Sequence, residues 1–365
     1  MALTTTTQLT TNITGAYDKR LLDRLVPKFI FTGYGEERPV PANMGATLTL
    51  RRYTNLTAAT TALTEGVTPA GSQLAKTDLT ITCYQYGDYV TVSDWLDMTG
   101  LDPKVIRPLD ILADQAGDTI DQLARNGMIA GTNIAYAGAS AAIGAVDQPI
   151  TVGMIAWAIN LLRRSNVDLI REKITPGTGV GTLPVDPGYI MIVHTDMEYD
   201  VEKVCGTSFI PVRKYAQPGR ALPGEFGSYS FVRFVSTPQA KIGADLGTTH
   251  GTSPEVRSTT GTNADVYYSV MFGKGYFANS RIGSNAVKSI VKTFGSGGTA
   301  DPLDQRSTVG WKATYGCSIL DDRRGVTFLT GATNGAADAV VATTAAAGKG
   351  SAALSNVAYD ATDGS

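Results

Sequence analysis

The chain is short of the side chains that most catalytic and metal chemistry requires: its 365 residues include two histidines, three cysteines and only 18% charged residues. Cys83, Cys205 and Cys317 are each more than a hundred residues apart. That spacing excludes a disulfide framework or a close-spaced zinc site, and an odd count fits synthesis in a reducing compartment. Lys and Arg number 31 against 33 Asp and Glu, a formal net charge of −2. The chain therefore lacks the basic field of a dedicated nucleic-acid binder, and also the self-repulsion that would keep copies apart. No uninterrupted apolar run is long enough to span a membrane. The Thr-rich N-terminus has its first basic residue at Lys19, which predicts no secretory leader. The G-x-S-x-G, H-E-x-x-H and C-x-x-C patterns are all missing. What is plentiful is apolar and small: 43% hydrophobic residues and 40 glycines, enough to bury a sizeable core.

The pattern along the chain predicts an α+β protein. Seven of the first 14 residues are Thr, too few large apolar groups to offset the entropy of ordering, so the segment reads as an arm. Residues 17 to 31 allow at most a short helix, ended by Pro27, Gly33 and Gly35. Alternation predicts strands over Ala46–Tyr53 and Thr77–Val92. Between them lie about 22 residues (Asn55 to Lys76), where compact domains favour connections of about 4 to 6; this long hairpin is expected to project. Val105, Leu109, Leu112, Ala116, Ile120 and Leu123 recur at helical spacing from Asp102 to Ala130, with Asp102 as cap and Pro108 kinking the helix or marking its true start. Asp110, Asp114, Asp118 and Asp121 repeat that rhythm and read as a solvated or partner-facing stripe. A buried helix is predicted over Thr151–Arg164, a central strand over Tyr189–His194, a short helix over Asp196–Val204, and strands over Tyr229–Val235 and Asp265–Phe272. Val309–Ile319 and Val326–Leu329, joined at Asp321–Gly325, read as a terminal β-hairpin. Beyond Gly331 the composition turns Ala- and Gly-rich, as in a mobile tail.

Chemistry is sparse. His194 ends an apolar strand two residues before Asp196, so an Asp-supported general base is conceivable, and with it a hydrolase. A hydrogen-bonded structural His is the competing reading. His250 sits in a Gly/Thr loop without a partner pattern. The acidic stripe lacks converging ligands from other elements, and Gly177-Thr178-Gly179-Val180-Gly181 lacks the Lys-Ser/Thr of a phosphate loop. No catalytic, metal or cofactor site is expected. Lys19, Arg20, Arg24 and Lys28 form one basic cluster and Arg51 and Arg52 another, fit for ion pairs between subunits or for weak, sequence-independent contact with nucleic acid.

The order of parts (polar arm, projecting hairpin, long helix, α+β body, terminal hairpin) resembles the Hong Kong 97-type fold of tailed-phage major capsid proteins. Leu63-Thr64-Glu65-Gly66-Val67-Thr68-Pro69, and above all Asp301-Pro302-Leu303-Asp304-Gln305-Arg306 leading into Val309-Gly310-Trp311-Lys312-Ala313-Thr314, resemble the N-four-like phage major capsid family. The resemblance runs from about residue 15 to 330. It implies an N-terminal arm at 1–44, an extended loop hairpin with its base at 45–94, a peripheral domain with a spine helix at 95–150, an axial domain at 151–300, return strands of the peripheral domain at 301–330 and a tail at 331–365.

It further implies a structural protein of the virion, made in the host bacterial cytoplasm. Hexamers and pentamers of such a protein tile an icosahedral head around double-stranded DNA. Its expected partners are copies of itself, a portal protein, decoration or scaffolding proteins, and packaged DNA through weak non-specific contacts; no membrane is implied. Lys19, Arg20 and Arg24 on the arm, Arg51 and Arg52 at the loop base, and Glu65 and Lys76 on the loop are the residues expected in intersubunit ion pairs. Lysine–asparagine crosslinking is not expected, since no partner Asn or catalytic carboxylate is identifiable. Nothing like a cleaved scaffolding segment precedes the arm, so scaffolding is expected to be a separate protein or absent. A tail or surface-layer subunit is the alternative self-assembling reading.

Overall fold

The computed structural model describes residues 30–54, 56–63, 65–66, 68, 70–95, 106–138, 141–170, 187–215, 221–249, 256–283, 287–296 and 301–333. The arm and its short helix before residue 30, the Asp102 cap, the Gly177–Gly181 loop, His250 and the tail after 333 lie outside these residues. The strands in chain order are β1 (Glu36–Glu37), β2 (Thr47–Tyr53), β3 (Lys76–Thr82), β4 (Tyr84–Ser93), β5 (Ile134–Tyr136), β6 (Tyr189–His194), β7 (Ile210–Pro211), β8 (Glu225–Tyr229), β9 (Val232–Thr237), β10 (Ile242–Gly243), β11 (Val266–Phe272), β12 (Phe277–Ser280), β13 (Val287–Lys292), β14 (Arg306–Ile319) and β15 (Gly325–Thr330). The α-helices are α1 (Ile106–Met128), α2 (Val152–Arg164) and α3 (Glu198–Cys205). The chain forms two compact units, and the boundary between them falls within α1, after Ala116.

The first unit takes in Glu37–Ala116 and Ala278–Leu320. Its centre is β14, paired along one edge with β4 from Arg306↔Ser93 to Tyr315↔Tyr84, and along the other with β13 from Val287↔Ala313 to Lys292↔Thr308. The two-residue period of a strand turns Val309, Trp311, Ala313 and Tyr315 to one face, where all four are buried. There the Trp311 indole N–H donates to Gln115 of α1 (3.2 Å), and the Gln115 amide donates to Asp88 of β4 (2.7 Å). Pro108 stands in the first turn of α1, where its missing N–H breaks no helical hydrogen bond. Preceding β4, β2 and β3 form a two-stranded antiparallel ribbon in continuous register from Thr47↔Thr82 to Tyr53↔Lys76.

The second unit takes in Gly117–Phe277 and the described parts of 25–36 and 321–365. Its eight-stranded sheet has the order β5-β15-β11-β6-β9-β8-β7, with β10 on β11. Every residue of β6 and of β15 is buried, as near-continuous apolar runs require. Ile155, Ala158, Ile159 and Leu162 of α2, at helical spacing, join Val201 and Cys205 of α3 in one core with Tyr189, Met191, Phe234, Met271 and Phe328 from the sheet. Thr151 caps α2 by accepting the Met154 N–H, and Arg163 and Arg164 sit at its negative end.

Four sequence expectations are corrected. Thr77–Val92 is not one strand: the run divides at Cys83 into β3, which pairs with β2, and β4, which pairs with β14 in another sheet. Tyr229–Val235 is not one strand: the chain reverses at Ser230-Phe231 between β8 and β9, with Ser230 at φ 52° where a Gly or Asn would have marked the turn. β14 and β15 do not form a hairpin, because β15 pairs antiparallel with β11 and parallel with β5 in the other sheet. Asp121 is not part of a solvated stripe. It is 1% exposed, and its Oδ1 accepts the backbone N–H groups of Ile30 and Thr32, each at 3.1 Å.

Candidate assembly surfaces

Two exposed features of the first unit offer bonding groups that the described residues of the unit do not use. One is the β2–β3 ribbon, a sheet of two strands only. Among the described residues each strand has one edge whose backbone donors and acceptors find no partner strand, which makes the ribbon a template for pairing with another chain. It carries large apolar side chains into solvent: Tyr53, Leu56, Leu63 and Leu74 are 53 to 79% exposed. A ribbon this small is at most marginally stable on its own, and exposed apolar groups in such number mark a contact surface. The other feature is the face of the five-stranded sheet opposite Trp311. On that face register brings Lys288 of β13 directly opposite Lys312 of β14.

The sequence-predicted residues fall as follows. Arg51 and Lys76 both turn to Asp78, with Arg51 Nε 3.5 Å and Lys76 Nζ 3.7 Å from its carboxylate. All three are exposed, so these pairs contribute little to stability and leave the cations open to solvent. Arg52 is exposed opposite Thr77. Glu65 is exposed at the loop tip and is the only charged residue between Thr54 and Ala75. Lys19, Arg20 and Arg24 lie outside the described residues.

His194 is buried, and burial lowers its pKa from the ordinary 6.5, opposed by the Asp196 carboxylate. Its Nδ1 accepts the Asp196 backbone N–H at 3.1 Å. The Asp196 carboxylate accepts from the Tyr267 hydroxyl at 2.9 Å and from the Arg257 guanidinium. A general base of the hydrolase type needs its imidazole held with Nδ1 donating to the carboxylate; here Nδ1 accepts a backbone N–H and lies 3.4 Å from Asp196 Oδ2, whose carboxylate is shared with Arg257 and Tyr267. The arrangement is that of a structural network tying β6 to β11. Among the described residues no group of three or more His, Cys, Asp or Glu side chains is placed to hold a metal ion, and no helix is long and apolar enough to cross a membrane.

No protein-family model matches the sequence, and no curated protein matches it. Solved structures do match in fold. The capsid of Ralstonia phage GP4 aligns at a TM-score of 0.57 and 12% identity, over 80% of this chain and 85% of that one. The head structure of Helicobacter pylori bacteriophage KHP40 aligns at 0.51 and 14%, over 81% and 86%. The capsid asymmetric unit of cyanophage Pam1 aligns at 0.51 and 12%, over 85% and 92%. The class of protein follows in terms of architecture: an α+β chain with the Hong Kong 97-type capsid fold, as the order of its parts implied. The agreement spans four-fifths or more of this chain, so it takes in the ribbon-bearing unit and the eight-stranded unit alike.

Proposed function

We propose that this chain is a phage major capsid protein, which self-assembles as hexamers and pentamers into an icosahedral head around double-stranded DNA. The observation that carries the reading is the β2–β3 ribbon with its loop: among the described residues, two backbone edges without a partner strand and a row of exposed apolar side chains. A fold shared with solved phage capsids supports it, as does a near-zero net charge that lets many copies approach. Several neighbours holding each subunit turn individually weak contacts into a durable shell. In this reading the chain resides in the virion after synthesis in the bacterial host, with portal and decoration proteins and packaged DNA as further partners. Its role is structural rather than enzymatic. The D-P-L-x-Q-R turn running into the G-W-K strand supports membership of the N-four-like group. The reading divides the chain into the arm, loop, peripheral, axial, return and tail segments named above, with Arg51, Arg52, Glu65 and Lys76 at subunit boundaries together with Lys19, Arg20 and Arg24.

The test is particle formation. Negative-stain microscopy and velocity sedimentation of the purified chain are expected to show closed shells or capsomers. Replacing residues 55–75 by a short Gly/Ser turn is expected to leave circular dichroism and thermal unfolding of the subunit unchanged while abolishing shell closure. Normal shells from that variant would remove the loop from the assembly, and a chain that stays monomeric at every concentration would refute the reading.

A further inference from the structure

Several segments of the second unit meet at the end of β6, around His194. Its Nδ1 accepts the Asp196 backbone N–H at 3.1 Å and lies 3.4 Å from Asp196 Oδ2. That same oxygen accepts from the Tyr267 hydroxyl of β11 at 2.9 Å and pairs with the Arg257 guanidinium. The Pro238 carbonyl is the ring's other hydrogen-bond partner. The imidazole is therefore neutral, with its proton on Nε2 and its lone pair on Nδ1. Glu198, on the segment that follows the ring, is the weakest of the charges acting on it. Little water reaches the cluster: His194 is 8% exposed, Tyr267 is 1% exposed, and the Arg257 side chain is largely buried.

Arg257 also holds the stretch that follows β15. Its backbone N–H donates to the Ala332 carbonyl at 2.8 Å, and its carbonyl accepts from the Asp265 N–H at 2.8 Å. Val256 packs over Gly331, where a Cβ would collide with it. One residue past Ala332, the Thr333 N–H donates to Asp200 of α3 at 2.8 Å. The ion pair between Arg257 and Asp196 thus fastens residues 331–333 to the end of β6 through the segment 256–258.

A proton on Nδ1 upsets this arrangement twice. The ring can no longer accept the Asp196 N–H, and a second cation stands beside Arg257 at one carboxylate. Asp196 Oδ2 already takes two donors, which fills the lone pairs of one oxygen. One donor must yield. Tyr267 is fixed in the sheet core and the imidazolium on a buried strand, whereas Arg257 has a long side chain on an irregular segment and can swing its charge into water. We propose that His194 is the pH sensor of a latch: protonated at Nδ1, it takes the Asp196 carboxylate from Arg257 and frees residues 256–258 and 331–333. The latch lies within one chain and is independent of the shell reading. Burial lowers the His194 pKa from 6.5, with Asp196 opposing and Arg257 reinforcing the shift. The latch is therefore shut at neutral pH, and its closed form loses stability as pH falls below 6.5.

Hydrogen–deuterium exchange read by mass spectrometry tests the latch on the purified chain, assembled or not. After correction for the intrinsic pH dependence of exchange, peptides carrying Arg257 and Gly331–Thr333 are expected to lose protection about tenfold between about pH 7.5 and pH 5, while peptides of α2 keep theirs. His194→Asn retains an acceptor for the Asp196 N–H and cannot titrate, so it is expected to level the two pH values. Arg257→Gln removes the ion pair and is expected to lose the protection at both. Independently, exchange at the imidazole Cε1 position titrates each of the two histidines in a particle of any size. The His194 midpoint is expected below 6.5 in wild type and to rise by about one pH unit in Arg257→Gln, a tenfold gain in proton affinity. A histidine with a purely structural role would not respond in this way. Equal wild-type protection at both pH values, a pH dependence that survives in a folded His194→Asn, or a His194 midpoint unmoved by Arg257→Gln would each overturn the latch. Should His194→Asn fail to fold, the wild-type exchange and the Arg257→Gln titration still decide.

Discussion

Asp121 is expected to make the protein less stable at neutral than at mildly acidic pH, and Asp121→Asn to abolish that dependence. The carboxylate is buried on α1 without a counter-ion in its hydrogen-bond shell among the described residues. Desolvation lifts its pKa from 3.8 to about 6, although the backbone N–H groups of Thr32, Ile30 and Phe31 and the Thr32 hydroxyl pull the other way. Its Oδ2 has no hydrogen-bond partner. Arg125, one turn on, is held by the Gln239 carbonyl at 2.6 Å and by Asn126. A rise of this size corresponds to about 3 kcal/mol between the two protonation states. Because the folded carboxyl keeps its proton to higher pH than the unfolded one, the penalty is absent below about pH 4, grows as pH rises, and is complete above about pH 6.

The Asn side chain retains the acceptor for Ile30 and Thr32 and discards the charge, but its amide N–H₂ inherits the unpartnered position at a cost of about 1 kcal/mol. Urea unfolding of the unassembled chain should therefore show Asp121→Asn more stable than wild type by about 2 kcal/mol near pH 7.5 and slightly less stable near pH 4. Asp121→Ala, which leaves the two backbone N–H groups without their acceptor, should be destabilised at both pH values. Equal differences between wild type and Asp121→Asn at the two pH values would refute the argument, because the charge would then carry no penalty.

Two further substitutions probe the second unit. The Glu225 carboxylate is fully buried, accepts from Arg233, from the Tyr215 hydroxyl (2.8 Å) and from the Leu222 N–H (2.8 Å), and loses its counter-ion in Arg233→Met. The expected loss is about 3–5 kcal/mol by urea unfolding, with a substantial part restored when Glu225→Gln is added. A Cβ built on Gly227 would lie 2.1 Å from Phe209 Cζ and 2.7 Å from both flanking ring carbons. Gly227→Ala is therefore expected to cost about 1–3 kcal/mol and to lower the thermal midpoint by several degrees.

Where burial follows the local period, the elements could be read directly from the residues. Ile155, Ile159 and Leu162 place α2, the apolar run Tyr189–His194 places β6, and alternation around Trp311 places β14. The long connection between β2 and β3 announced the ribbon by its length and its lack of core residues. Partners distant in sequence were not legible. Alternation in β14 and β15 reports which residues are buried but not which sheet receives them, so two neighbouring strands passed for a hairpin. The turn at Ser230 carries neither Gly nor Asn, and the β8–β9 reversal left no mark. Asp121 shares its rhythm with Asp110, Asp114 and Asp118, and only the return of residues 30–32, some ninety positions away, takes it out of water. Glu65 and Lys76 were singled out for subunit contacts; Glu65 is exposed on the loop, and Lys76 opens β3 with its Nζ 3.7 Å from Asp78. Lys288 and Lys312 stand 24 residues apart, and only the β13–β14 register makes them neighbours.

The scarcity of charge gives the leftover charges their meaning. In the first unit, Asp78 is shared by Arg51 and Lys76, and Glu37 lies 3.3 Å from Arg281. The lysines opposite Trp311 and the glutamate at the loop tip have no such match among the described residues. A chain selected only for its own stability would gain by replacing one of two facing lysines with an acid, since like charges directly across a strand pair repel. Retaining both, on a face with no acid, is reasonable if the compensating charge arrives from another molecule. An exposed pair of this kind contributes at most about 1 kcal/mol per contact. That is too little to hold two subunits together and enough to correct their register while they can still separate. Repeated around every capsomer of the proposed shell, such a contact would select the correct arrangement before apolar loop contacts made it permanent.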